Sequence, residues 1–167
     1  MNMRIMLTIL CLMIAATASA KQFNCLDLPF GEDLAAYDGF IQYMEKDGVA
    51  YHNYTGACRL PSHKYGPVSL VYATVDGKLY AEIALLFKID EEVGRALLNE
   101  AFGPMAKEYQ DGDWKVGVWK DTKKDLTLKA KRNIKTGISK YVYYYNPLKE
   151  QLNKQKKEQD VTETFTE

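Results

Sequence analysis

The sequence predicts an α+β protein in which an antiparallel sheet packs against two helices, in the order α-β-β-β-α-β-β-β. Three observations support this class. Of the 167 residues, 47% are apolar and 26% are charged, proportions that are typical of a single folded domain. Six runs rich in β-branched and aromatic residues are separated by short turns. Two other segments repeat apolar residues at helical spacing.

The first twenty residues predict a secretory signal peptide. An apolar run at 5–16 follows Arg4 and leads into small residues, with cleavage expected after Ala20. The run is shorter than the about 20 apolar residues that a bilayer-spanning helix needs, and no other stretch is a candidate. We therefore expect an exported protein, periplasmic or extracellular, with one domain at 21–147 and a charged, solvated or disordered tail at 148–167.

The first helix of the domain is predicted to follow a turn at 28–31. Apolar residues recur there at three- and four-residue steps, as on one face of a helix, and Asp47 with Gly48 ends the pattern. The repeating residues are Leu34, Tyr37, Phe40, Ile41 and Met44.

Three strands are predicted next, at 49–54, 68–75 and 79–87. The last two flank a short Asp-Gly turn, which favours a hairpin. A second helix is then predicted at 91–102, since Asp90 suits its N-cap and Gly103 its end. Its buried face is expected to carry Val93, Leu97, Leu98 and Ala101.

The remaining strands are predicted at 114–119, 126–133 and 138–145. The two helix-plus-strand units, at 31–87 and 90–146, have nearly equal lengths, which is consistent with an internal duplication. We expect both helices to cover the same face of the sheet.

Signal cleavage removes Cys11 and leaves Cys25 and Cys58, which predicts one disulfide in an oxidising compartment. The alternative is a metal site that combines Cys58 with His52 and His63. Because the sequence lacks C-x-x-C spacing and clustered histidines, it favours the disulfide and predicts no metal and no cofactor.

The formal net charge of zero hides an uneven distribution. Residues 21–106 contain 7 basic and 12 acidic side chains, whereas residues 107–147 contain 10 basic and 5 acidic ones. Overall neutrality and export argue against nucleic acid as a partner. The basic second half is suited to an anionic partner.

Strand alternation predicts that one open face of this second half carries a binding site. The assignment buries Trp114, Val116, Val118, Leu126 and Leu128 on the other face. On the open face, lysines would attract an acidic partner while aromatic rings add contact area. The candidate residues are Lys115, Trp119, Lys129, Lys131 and Tyr144. The alternative is a solvated lysine-rich face whose tyrosines pack across strands.

The sequence contains no G-x-S-x-G, H-E-x-x-H or phosphate-binding glycine motif. We therefore predict a noncatalytic exported protein that binds an acidic protein surface or an anionic polysaccharide through a sheet face. The alternative function is a small cell-envelope hydrolase that acts on polysaccharide through paired carboxylates. A deep cleft holding two acids with raised or split pKa values would favour that alternative.

Several short motifs carry a resemblance to known exported proteins. The helix at 91–102 ends in Ala101-Phe102-Gly103-Pro104, a tryptophan strand follows at 114–119, and the closing strand ends in Tyr143-Tyr144-Tyr145-Asn146. This layout resembles the tandem helix-plus-sheet repeats of β-lactamase inhibitor proteins and the small lipoproteins of the outer-membrane barrel assembly machinery. The resemblance implies a noncatalytic protein that binds another protein with its sheet face, as an inhibitor, immunity or envelope-assembly factor.

We predict that the secreted protein begins at Lys21 and contains the Cys25–Cys58 disulfide. Intact-mass spectrometry without reductant should give the mass of residues 21–167 less two hydrogen atoms, and reduction should restore them. Free thiols on the native mature protein would contradict the disulfide, and a retained N-terminus would contradict the cleavage site.

Overall fold

The computed structural model describes residues 20–25, 27–58, 68–86 and 89–164. Nearly all of the predicted signal peptide lies outside these ranges, as does His63. Within them, neither helix combines the length and the apolar character that crossing a bilayer requires.

Eight antiparallel strands form one sheet in the order β1-β2-β3-β4-β8-β7-β6-β5. The strands are β1 Phe40–Lys46, β2 Val49–Tyr54, β3 Val68–Val75, β4 Lys78–Leu86, β5 Lys107–Asp111, β6 Trp114–Asp121, β7 Leu126–Asn133 and β8 Ser139–Tyr145. Helix α1 spans Glu91–Phe102 and helix α2 spans Asn146–Thr164. The α+β class is therefore confirmed. The predicted element order is wrong, because each half is a four-stranded meander followed by a helix.

The first predicted helix is replaced by a single 3-10 turn at Leu34–Ala36 and by strand β1. Gly39 separates them with a φ of 89°, a left-handed conformation that an α-helix does not contain. Leu34 and Phe40 still reach one apolar cluster, but Ile41 and Met44 are exposed on the edge strand. Leu34 and Phe40 fit the spacing of a helix face although one lies in the 3-10 turn and the other in β1, because both elements contribute to the same cluster.

Strand β5 was not predicted. Its sequence, Lys-Glu-Tyr-Gln-Asp, has no apolar alternation, and only its tyrosine is even partly buried. It forms an edge of the sheet and pairs on one side with β6. Charged residues are common on edge strands, where they discourage pairing with other chains.

One face of the sheet, here called the α1 face, is covered by the N-terminal segment and by α1. Phe23 lies at the centre of the first cover, with its ring centroid 4.7 Å from that of Phe40 and 5.2 Å from that of Tyr72. Tyr143 joins the two covers, because its ring contacts Phe30 on one side and Phe102 of α1 on the other. Edge-to-face packing of this kind stabilises aromatic clusters beyond their buried area.

Helix α1 has the predicted bounds, and Asp90 caps it by accepting hydrogen bonds from the Glu92 and Val93 amides. Its buried face differs from the prediction, since Val93 and Leu97 are exposed and Gly94 is the buried position. A Cβ on Gly94 would lie 3.2 Å from the Tyr141 hydroxyl oxygen. Because Gly94 has no side chain, the helix can approach the sheet closely at this position. The face of α1 that carries Gly94 therefore packs against the sheet.

Helix α2 lies on the opposite face, here called the α2 face, so the expectation that both helices share a face is wrong. Leu148 and Leu152 are buried there, and Leu152 belongs to a cluster with Val49, Val75 and Tyr144. The helix covers part of the range assigned to a tail, and its first two turns are part of the core. An internal duplication of the whole helix-plus-sheet unit would place both helices on the same face of the sheet. The observed helices lie on opposite faces and do not follow that arrangement.

The Cys25–Cys58 disulfide is present, with 5.8 Å between the Cα atoms. It connects the N-terminal segment to the chain just after β2. Cys58 Sγ also lies 3.5 Å from the Tyr72 hydroxyl. The bridge therefore holds the N-terminal cover against the α1 face.

We predict that Leu152→Ala lowers the free energy of unfolding by about 2–3 kcal/mol, because it leaves a cavity against the sheet. The neighbouring Asn153 is exposed, so Asn153→Ala serves as the matched control and should change the value by less than about 0.5 kcal/mol. Urea denaturation followed by tryptophan fluorescence measures both. Equal stability of the two variants would show that α2 is not part of the folded core.

Candidate functional site

The α2 face of strands β5–β8 carries five lysines and a single carboxylate, Asp111. The alternation and register of these strands place the lysines on this face, together with Tyr109. We call this surface the basic face: Lys107, Tyr109, Lys120, Lys129, Lys131 and Lys140.

The register arranges these side chains in two rows across the sheet. One row runs Lys107, Val118, Lys129, Val142. The next row runs Tyr109, Val116, Lys131, Lys140. The two valines of β6 are buried, so lysines stand on both sides of an aliphatic floor.

Ion pairing on the basic face is sparse. Lys131 Nζ lies 3.6 Å from the carboxylate of Asp111. Among the residues that the structure describes, no carboxylate lies within 4.0 Å of the ammonium groups of Lys107, Lys129 or Lys140. These cations are available to an external anion.

Tyr144 lies beneath this surface where α2 begins. It is 5% exposed, and the ammonium groups of Lys129 and Lys149 lie 5.8 and 4.5 Å from its ring centroid. Lys149 Nζ also donates a hydrogen bond of 3.1 Å to the Tyr144 hydroxyl. The ring positions two cations and is itself too buried to make a large contact with a partner.

A groove of about 520 Å³ continues from Tyr144 between α2 and the β6–β7 hairpin. Lys120 and Lys149 line it, but so do Asp121, Asp125 and Glu150. Its mixed charge distinguishes it from the rows of Lys107, Lys129, Lys131 and Lys140. The consistently basic area is therefore the open sheet surface and not the groove.

The structure brings together three of the five predicted site residues and separates the other two. Lys129, Lys131 and Tyr144 lie on the α2 face, whereas Lys115 and Trp119 lie on the α1 face. The prediction of one shared face is wrong because it placed Val118 and Leu128 on the same side. The register instead pairs Val118 with Lys129 and Trp119 with Leu128.

Trp119 is a core residue at the base of α1. It is 3% exposed, and its Nε1 donates a hydrogen bond of 2.9 Å to the Asn99 side chain of the helix. A Cβ on Gly117 would lie 2.6 Å from the indole ring. The ring therefore occupies space that a larger residue at that position would fill, and it is not available to a partner.

Lys115 belongs to a charged cluster that docks α1. It forms ion pairs with Glu91 and Glu108, which also bind Arg95, around a cavity of about 50 Å³. The hydrogen bond to Glu91 raises the pKa of Lys115, and the bond from Arg95 lowers the pKa of Glu108. Each charge has a partner, so the cluster positions the helix.

Sequence reasoning missed three lysines of the basic face: Lys107, Lys120 and Lys140. Lys107 lies on the unpredicted edge strand β5. Alternation along β6 and β8 could have identified the other two, because Lys120 lies two residues from Val118 and Lys140 lies two residues from Val142, both on the same face of the sheet. The sequence did not show that Val116 and Val118 of β6 lie opposite Lys131 and Lys129 of β7.

Glu82 is the residue most relevant to the hydrolase alternative. It lies on the α1 face between Tyr72 and Tyr143, and its Oε2 is buried without a hydrogen-bond partner in the described part of the chain. Burial raises its pKa to about 7, although a hydrogen bond from Tyr72 opposes the shift. Glu32, Glu91 and Glu108 shift the other way, because lysine or arginine partners lower their pKa.

The residues of the alternative metal site have other contacts. Cys58 is in the disulfide, and a His52 ring nitrogen lies 2.9 Å from the Thr74 hydroxyl. Burial lowers the pKa of His52. In the described ranges, no three His, Cys, Asp or Glu side chains are grouped so that they could hold a metal ion.

Comparison with known proteins yields no match to a protein family, to a curated protein or to a solved structure.

We predict that Glu82 makes the protein less stable as the pH rises from about 4.5 to about 7. An acid whose pKa is raised by folding holds its proton more tightly in the folded state than in the unfolded state. The protonated carboxyl group therefore stabilises the fold at low pH, and this stabilisation is lost as the group ionises in the folded protein. Relative to Glu82→Gln, the wild type should lose about 3 kcal/mol of unfolding free energy at most. Urea titrations of both proteins between pH 4.5 and 8 measure the difference.

Glu82→Gln keeps the shape of the side chain and removes its ionisable group, so effects of pH on the other groups are common to both proteins and cancel in the comparison. Parallel stability profiles would show that Glu82 titrates alike in the folded and unfolded states.

Proposed function

We propose that this protein is an exported, noncatalytic binding protein that holds an acidic partner protein on its basic face. The observation that carries the proposal is the segregation of charge: five lysines and one carboxylate share the α2 face of β5–β8. Such a surface accelerates encounter with an acidic protein and orients it.

The difference in ion pairing between the cations of the two faces supports the proposal. On the α1 face, Lys115 and Arg95 are neutralised by Glu91 and Glu108. On the basic face, Lys131 and Lys140 are directly opposite each other on adjacent strands. Like charges in that position destabilise a sheet, so the arrangement costs stability that a bound anion would recover.

The inhibitor, immunity and envelope-assembly roles all fit this proposal, because each requires binding to another protein without catalysis. The disulfide suits an oxidising compartment outside the cytoplasm. The hydrolase alternative would require a second acid beside Glu82. Its neighbours on the adjacent strands are Tyr72 and Tyr143, so in the described strands no second carboxylate lies directly beside Glu82.

We predict that Lys129→Glu combined with Lys131→Glu weakens binding to an acidic polypeptide. The measurement is the salt concentration that elutes the protein from immobilised poly-L-glutamate. Reversing two charges at the centre of the basic face should weaken retention by at least about tenfold in affinity at low salt, because attraction is replaced by repulsion.

Lys123→Glu with Lys124→Glu is the matched control, since it makes the same change of charge in the exposed turn of the same hairpin. The control should elute close to the wild type. If both double variants lose retention equally, net charge alone causes the binding and the basic face is not a site. Immobilised heparin, run in parallel, reports whether a polysaccharide is preferred.

A further inference from the structure

A partly exposed aliphatic strip lies directly beside the basic face. Val71 of β3, Ile83 and Leu85 of β4 and Val142 of β8 are all partly exposed on the α2 face. The row that contains Lys129 continues through Val142 to Ile83 and then to Val71. The α2 face therefore changes from basic to apolar across neighbouring strands.

Helix α2 leaves this strip open because it crosses the other end of the strands. Leu152 packs with Val49 and Val75, and Gln151 donates a hydrogen bond to Asp76 in the β3–β4 turn. The register places Val71 and Leu85 farther along β3 and β4, away from the β3–β4 turn on which α2 packs. Val142 packs against the cluster that contains Leu152, so the partly exposed apolar surface begins where the part of the sheet that α2 buries ends.

We infer that the partner presents an acidic amphipathic helix, which lies along the strands with carboxylates on the lysines and apolar side chains on the strip. This inference rests on the proposed function and specifies the partner's chemistry. Two strand spacings separate Lys129 from Ile83, about 10 Å, which matches the width of an α-helix. One helix can therefore contact both surfaces at once.

The form of the strip favours a helix over a bilayer. Its aliphatic side chains are partly buried among neighbouring side chains on one face of a sheet and do not project from a loop or a helix. Insertion into the acyl region of a membrane requires apolar side chains that project. A sheet surface instead offers a floor on which the apolar face of a helix can lie.

The test uses a fluorescent peptide of about 18 residues, made of alanine, leucine and glutamate, with its leucines on one helix face. An isomer of the same composition, with its leucines scrambled, is the charge-matched probe. Fluorescence anisotropy should show that the full chain binds the amphipathic peptide at least about tenfold more tightly than the isomer. Ile83→Thr with Val142→Thr should remove that preference while poly-L-glutamate retention stays unchanged, since these β-branched substitutions keep the strands.

The outcomes separate this inference from the proposed function. Equal affinity for the two peptides would overturn the amphipathic helix and leave the proposed function standing. Tighter binding to phosphatidylglycerol vesicles than to the peptide, lost in the threonine variant, would overturn it in favour of a bilayer. Unchanged poly-L-glutamate retention in Lys129→Glu/Lys131→Glu would overturn both.

Discussion

The antiparallel pairing of β4 with β8 is the contact on which the other features of the molecule depend. It joins two four-stranded meanders and sets Ile83 opposite Val142 and Glu82 opposite Tyr143. Side chains alternate between faces, so a slip of one residue would invert every side chain of one meander relative to the other. The observed register keeps Tyr143 between the two covers of the α1 face and Tyr144 under α2.

This pairing also explains how a chain without net charge acquires a charged surface. Both halves contribute to each face, but five of the six lysines of β5–β8 fall on the face that α1 does not cover. On the covered face, Lys115 and Arg95 are neutralised by Glu91 and Glu108, because an unpaired charge near a packed helix is costly. The lysines on the other face remain in contact with water and retain their attraction for an anion.

The sequence reasoning succeeded where local chemistry is decisive. Asp90 and Gly103 define α1 through capping, and Asp76 with Gly77 defines the turn between β3 and β4. With Cys11 assigned to the signal peptide, two cysteines allow one pairing, and the disulfide is present. For the candidate site residues, the alternation within β7 placed Lys129 and Lys131 on one face, as the register shows, but nothing local placed β6 relative to β7.

What the sequence determined by itself was the α+β class, helix α1, the central hairpin, the disulfide and the basic character of the second half. The tertiary structure decided that a strand begins directly after Gly39, that α2 is part of the core and that Trp119 and Lys115 belong to the helix interface. Capping, turns and alternation act within a few residues. The face that a strand presents depends on its neighbour's register and on what covers the sheet, and those contacts join residues far apart in the chain.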